Sequence, residues 1–167
     1  MSMLPIRRFP DPLLKQAAIR VERVDATIAK LVDALIKTMR HHPRCVGLAA
    51  PQVGSRLRVA VMDSSSHPKA VESHGLLVLV NPQIVETEGS VTQREGCLSI
   101  PDFTANVRRA ARVHLKAWDQ VGSAYELWLE GFEAIVAQHE IDHLDGRLFL
   151  DRVVNLTTDV FKRKTYF

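Results

Sequence analysis

Across DATIAKLVDALIKTMR (25–40), apolar residues recur at intervals of three and four: Ile28, Leu31, Val32, Leu35, Ile36 and Met39 fall on one stripe. The spacing predicts a long amphipathic helix that packs by this stripe on a sheet. Asp25 is placed to cap its start and His41-His42-Pro43 to end it. The segment CVGLAAPQVG (45–54) is too rich in Gly and Pro to continue as helix. Beyond it, LRVAVMD (57–63) reads as a strand and SSSHPKAVESHG (64–75) as a polar surface loop. LLVLVNP (76–82) is apolar without alternation, which predicts a strand covered on both faces. Residues 83–94 read as an exposed continuation of that strand with a turn at Glu88-Gly89. In 107–119, Val113, Leu115 and Ala117 alternate with Arg112, His114 and Lys116. AYELWLE (124–130) alternates too, and the Gly122 turn between them predicts a hairpin. A helix is expected over 132–145, between Gly131 and Gly146, and a last short helix over 156–164.

Strands gathered mid-chain with helices on either side predict an α+β fold. Mixed, mostly antiparallel sheets would pack around a central helix carrying HEIDH, with an N-terminal amphipathic helix and a short C-terminal helix. No repeat or linker divides the chain, so one domain over 1–167 is expected, with 155–167 as a basic tail. A chain of 167 residues suits a single core. It holds no apolar run near the ~20 residues that span a bilayer. Pro5, Pro10 and Pro12 interrupt the N-terminus, so no secretory signal is expected and the cytoplasm, most simply a bacterial one, is the expected compartment. There Cys45 and Cys97 would be free thiols or metal thiolates rather than a disulfide. The net charge of +3 is scattered except at Lys162-Arg163-Lys164, which is either a solvated end or a contact for a polyanion.

Within the late helix, His139-Glu140-Ile141-Asp142-His143 sets two histidines one turn apart on one face. That is the H-E-x-x-H pattern of helical metal sites, in which the Glu serves as general base. The alternative is a solvated helix with two surface histidines. Phe132, Ile135 and Val136 share the face of His139 and form either ordinary core or the wall of an apolar pocket beside the ion. A catalytic centre needs a third protein ligand and one open position. Cys97, in REGCLSIP (94–101), is a candidate, because metal binding deprotonates a thiol outright; a small buried hydrophobe is the other reading of such a cysteine.

Three segments together change the picture: CVGLAAPQ (45–52), EGCLS (95–99) and QHEIDH (138–143). In this order and spacing they resemble the three signature motifs of the peptide deformylases. The resemblance implies a metal-dependent hydrolase that removes the N-formyl group from the initiator methionine of newly made polypeptides and releases formate. It implies one divalent ion held by Cys97, His139 and His143, commonly ferrous iron, with zinc, nickel or cobalt able to take the same ligands. Glu140 would carry the proton. The Gln52 amide and the Leu98 backbone N–H would stabilise the formyl oxygen. Phe132, Ile135, Val136 and Val46 would line the methionine pocket, and Gly47 would let main chain pair with the peptide. Glu95 and Arg109 would form an ion pair supporting the ligands. The implied partners are nascent N-formylmethionyl peptides and, as in some bacterial members, the ribosome, reached here through Lys162, Arg163 and Lys164. Monomer and homodimer both remain open.

Two positions depart from the family pattern. Cys45 stands where the first motif opens on Gly, which strains the backbone if that position needs a positive φ and otherwise narrows the pocket mouth. DFTAN, after Pro101, lacks an arginine that some relatives place against the peptide backbone. A general metallopeptidase and a closed metal–thiolate site are the competing readings. The first lacks a His or Glu ligand downstream of His143, and the second has no use for Glu140.

Overall fold

The computed structural model describes residues 3–164. Helix α1 (Ala26–His41) is followed by strands β1 (Gly47–Ala49), β2 (Val59–Met62), β3 (Leu77–Glu88), β4 (Val91–Cys97), β5 (Ile100–Arg109), β6 (Arg112–Trp118) and β7 (Ala124–Glu130), then helix α2 (Gly131–Leu144) and strand β8 (Val160–Lys162). The strands form a five-stranded sheet in the order β1-β2-β3-β6-β7 and a three-stranded sheet in the order β4-β5-β8. Every pairing within them is antiparallel. The α+β architecture, the early amphipathic helix and the helix bearing HEIDH are those the sequence predicts.

The large sheet is covered on both sides, which is why its central strands carry apolar residues without a break. Val59, Val61, Val78 and Val80 join Val32, Leu35 and Met39 of α1 in one core. The alternate positions Ala60, Met62 and Leu79 join Val113, Leu115 and Leu129 against Ala137, Ile141 and Leu144 of α2 in another. Each large aliphatic side chain so buried contributes about 1.5–3 kcal/mol relative to exposure. Asp25 caps α1 as expected, its Oδ1 accepting from the Ile28 N–H at 3.1 Å. The hairpin predicted around Gly122 is β6–β7.

The small sheet has its own core, where Cys97, Ile100, Ala105 and Val107 meet Leu14, Leu148 and Phe149. Here the structure corrects one expectation. The segment 156–164 is no helix: after turns at 156–158 it becomes β8, and Val160, Phe161 and Lys162 pair with Ala105, Thr104 and Phe103 of β5. A basic run suggested a helix end, but Val160-Phe161 suits a strand and β5 offered an edge to complete. Residues 165–167 of the expected tail lie outside the described residues. None of the described helices is long and apolar enough to cross a membrane.

Candidate metal centre

The site forms where the end of β4 meets the middle of α2. Along β4 the side chains alternate, so Glu95 and Cys97 turn inward while Arg94 and Gly96 turn out. On α2, the His139 and His143 rings stand edge to face with centroids 5.0 Å apart. The Cys97 Sγ lies 3.3 Å from His143 Nε2. The three candidate ligand atoms of Cys97, His139 and His143 all lie within 4.8 Å of one another. His139 Nδ1 is engaged by Glu95 Oε1 at 2.8 Å, which leaves its Nε2 for the cluster. Sulfur and imidazole nitrogen on one tetrahedral ion stand about 3.5 Å apart, given usual bond lengths, so this donor set fits a cation such as zinc or ferrous iron.

Electrostatics support the same use. Burial alone would raise the Cys97 thiol, but His143 and His139 more than offset it and hold it well below the ordinary thiol range. His139 moves the opposite way: burial would lower it, while Cys97 and Glu95 raise it well above the ordinary imidazole value. Cys97 is thus set up as a thiolate donor. Beside the cluster, the Glu140 carboxyl is buried and pushed up to about 7, chiefly by that burial. Its Oε2 and the Nδ1 of His143 are buried with no hydrogen-bond partner among the described residues. A buried carboxyl oxygen normally finds a partner, so an unpaired one on the residue next to His139 is a candidate to meet a ligand.

Behind the ligands stands a buried chain of charges. Arg109 donates to Glu95 from Nε and Nη2 at 2.8 and 2.9 Å, and from Nη1 to Asp142 at 2.5 Å. Asp142 also accepts from Arg152 at 2.8 and 3.1 Å. Burial would raise the Glu95 carboxyl, but Arg109 and His139 hold it at about 2. Glu95 is therefore an anion that fixes the tautomer and direction of His139. No sequence signal marks Asp142 as a partner of Arg109 or Arg152 as a partner of Asp142, although Asp142 lies inside HEIDH, because ligand spacing does not say what neutralises a buried arginine.

The first motif supplies the opposite wall. Gln52 lies in a 3-10 turn, Ala50–Val53. Its Oε1 accepts from the Ala49 N–H at 3.0 Å, which fixes the amide so that Nε2 donates to Ser99 Oγ at 3.1 Å and points to Cys97 Sγ at 3.4 Å. Gly47 is required sterically, because any side chain there would overlap the Glu140 carboxyl. The Cys45 question is settled by the backbone. The positive φ falls on Arg44, at 62°, and not on Cys45, so the cysteine is unstrained. Its Sγ donates to the Gly47 carbonyl at 3.2 Å, and it lines the mouth of the cleft.

That cleft, of about 990 Å³, brings together most of the residues singled out in the sequence. Val46, Gly47, Phe132, Ile135 and Val136 line it, with Gln52, Glu95, Cys97, Leu98, His139 and Glu140. His143 and Arg109 are not on its surface; both are buried behind it. One further contributor had no sequence signal: His67, from the 64–75 loop, stacks on Phe132 with ring centroids 4.5 Å apart.

Residues 3–159 match the family described as polypeptide deformylase. A peptide deformylase of Syntrophobacter fumaroxidans is 46% identical over 164 residues, 98% of this chain and 94% of that protein. A crystal structure of a peptide deformylase from Legionella pneumophila superposes with a TM-score of 0.84 at 39% identity, covering 93% of this chain and 88% of the other. The Ehrlichia chaffeensis peptide deformylase, in complex with actinonin, superposes with a TM-score of 0.87 at 36% identity over 94% and 92% of the two chains. With the fold, the motifs and relatives of nearly equal length all in agreement, the chain belongs to the polypeptide deformylase family.

Proposed function

We propose that this protein hydrolyses the N-formyl group from the initiator methionine of newly made polypeptides, releasing formate, and that the whole chain acts as one catalytic unit. The observation that carries the reading is the convergence of Cys97 and His139, which line the cleft, with His143 buried behind them, near Glu140, whose Oε2 has no partner among the described residues. Those three residues would hold one divalent ion, ferrous iron natively, with zinc, nickel or cobalt acceptable to the same donors. Such an ion supplies Lewis acidity, which makes water nucleophilic near neutral pH and polarises a carbonyl.

The chain's own groups do the rest. Glu140 takes the proton of the attacking water as the C–O bond forms and the formyl oxygen gains negative charge, then passes that proton to the amine nitrogen as the carbonyl re-forms and the C–N bond breaks. The Gln52 Nε2 and the Leu98 backbone N–H donate to the formyl oxygen as charge gathers there. Removing one such donor typically costs about 2.7–4 kcal/mol of transition-state stabilisation. Val46, Phe132, Ile135 and Val136 take the methionine side chain, whose flexible thioether suits an irregular apolar wall. Gly47 leaves main chain free to pair with the peptide. Arg109, through Glu95, holds His139 in position.

Bacterial cytoplasm is the proposed compartment. The exposed Lys162 and Lys164, with Arg163, are proposed to meet ribosomal RNA phosphates, which salt-sensitive co-sedimentation with ribosomes would test. The activity itself is tested by formate release from a formyl-Met peptide after anaerobic purification. Glu140→Gln should keep its metal and lose about 10²–10⁴-fold in kcat. Near-full activity in that variant would remove Glu140 as proton carrier. Cleavage of an unformylated peptide bond without formate release would replace the reading with a metallopeptidase.

A further inference from the structure

The lips of the cleft carry charge that the catalytic reading does not use. On one side Arg44 and Lys69 line it, and on the other Arg94, Lys162, Arg163 and Lys164 do. The acids of the lining are Glu95 and Glu140. Both are buried, and Glu95 is neutralised by Arg109. The rim is therefore uniformly basic.

Arg163 is the cation placed with most definition. Its backbone N–H donates to the Asp102 carbonyl at 2.8 Å, which extends the β5–β8 ladder by one bond and pins its main chain. One terminal nitrogen of its guanidinium reaches Gly96, into the space a Cβ at that position would take. Gly96 immediately precedes Cys97, so this cation sits at the cleft mouth one residue from a candidate ligand. Among the described residues the guanidinium has no carboxylate and no hydrogen-bond partner. Its neighbour Arg94 is held by stacking on Phe161, 3.6 Å from the ring centroid, and by a 3.1 Å bond to Asn106 Oδ1.

We propose that Arg163, supported by the basic rim, is a specificity-determining residue that favours formylated peptides with acidic side chains just downstream of the methionine. The inference rests on the deformylase reading. A peptide whose first side chain fills the apolar wall must leave the cleft between these lips. A guanidinium free of other partners among the described residues offers a carboxylate two parallel donors. A rim of one sign also raises the encounter rate of anionic peptides, an effect that fades with salt.

The test compares kcat/KM for three formyl-Met tetrapeptide amides whose second and third residues are Asp, Ala or Lys. The expected order is acidic, neutral, basic, with about tenfold between the extremes at low salt and convergence at high salt. Arg163→Gln should shrink the acidic-to-basic ratio, mainly through KM. Arg163→Glu should invert the order, which a simple folding defect would not do. Equal kcat/KM for the three peptides, or a ratio untouched by either substitution, overturns the proposal. If none of the three peptides releases formate, the deformylase reading itself fails and this proposal falls with it.

Discussion

The two helices of this protein are buried for different reasons. In α1, the buried residues Ile28, Val32, Leu35 and Met39 fall on one face and the opposite face is open to solvent. The helix is a clamp, and its sequence shows it. In α2, Glu133, Ala134, Ile135, Val136, Ala137, Glu140, Ile141, Asp142, His143 and Leu144 are all buried, so no single apolar stripe exists. One side of α2 adheres to the large sheet and the rest turns ionisable groups toward Cys97, Glu95 and Arg109. Burying charge costs energy unless every member is paired. So α1 holds the sheet, whereas α2 is itself held, by the sheet and by a set of ion pairs, so that its histidines stay in place.

Substitutions on the two sides should separate these roles. The largest effect is expected for Arg109→Leu. It leaves Glu95 with His139 alone and Asp142 with Arg152 alone, and the lost buried pairing should cost about 3–5 kcal/mol of stability by denaturant unfolding. It should also weaken metal retention, because Glu95 no longer has a fixed orientation for His139. A loss below 1 kcal/mol would show that water reaches these carboxylates and that the cluster does not hold α2. Next is Leu35→Ala in α1, expected to cost about 2–4 kcal/mol through the cavity it leaves. The folded fraction should keep its metal content and its turnover. A fall in kcat per folded molecule would mean that α1 helps to position the site.

A smaller contrast lies at the helix starts. Asp25 caps α1 through the Ile28 N–H, whereas Glu130, at the start of α2, makes no side-chain cap. Asp25→Ala should therefore cost about 1 kcal/mol, and Glu130→Ala less than about 0.5. Equal losses would show that the end of α2 depends on a local contact after all. The smallest effect is expected at the exposed pair Arg112–Glu88, where neutralising either partner should change stability by less than about 1 kcal/mol.

The same contrast explains how much could be read from the sequence. The stripe in 25–40 gave α1 nearly to the residue, and alternation gave the β6–β7 hairpin, because in both one face meets core and the other meets water. The apolar run at 76–82 was legible as a strand covered on both faces, and α1 and α2 are what cover it. That Cys97, His139 and His143 come together was legible because chemistry restricts which residue types can serve a metal at that spacing. Asp142 and Arg152 were not, since a partner for a buried arginine can come from anywhere the fold brings an acid near. β8 was missed because its pairing depends on the free edge of β5, which has no local signature in 156–164. Arg163 over Gly96 was missed for the same reason: a glycine kept clear for a side chain from a distant strand looks in sequence like any turn residue.

The site as proposed requires one sulfur and two imidazoles to share a single cation. X-ray absorption on the anaerobically purified, metal-loaded protein tests it directly. One metal per chain is expected, with one sulfur at about 2.3 Å and two nitrogens at about 2.0–2.1 Å, and the sulfur shell should be lost in Cys97→Ser. A shell of nitrogen and oxygen alone in the unsubstituted protein, or a sulfur shell that survives Cys97→Ser, would contradict it.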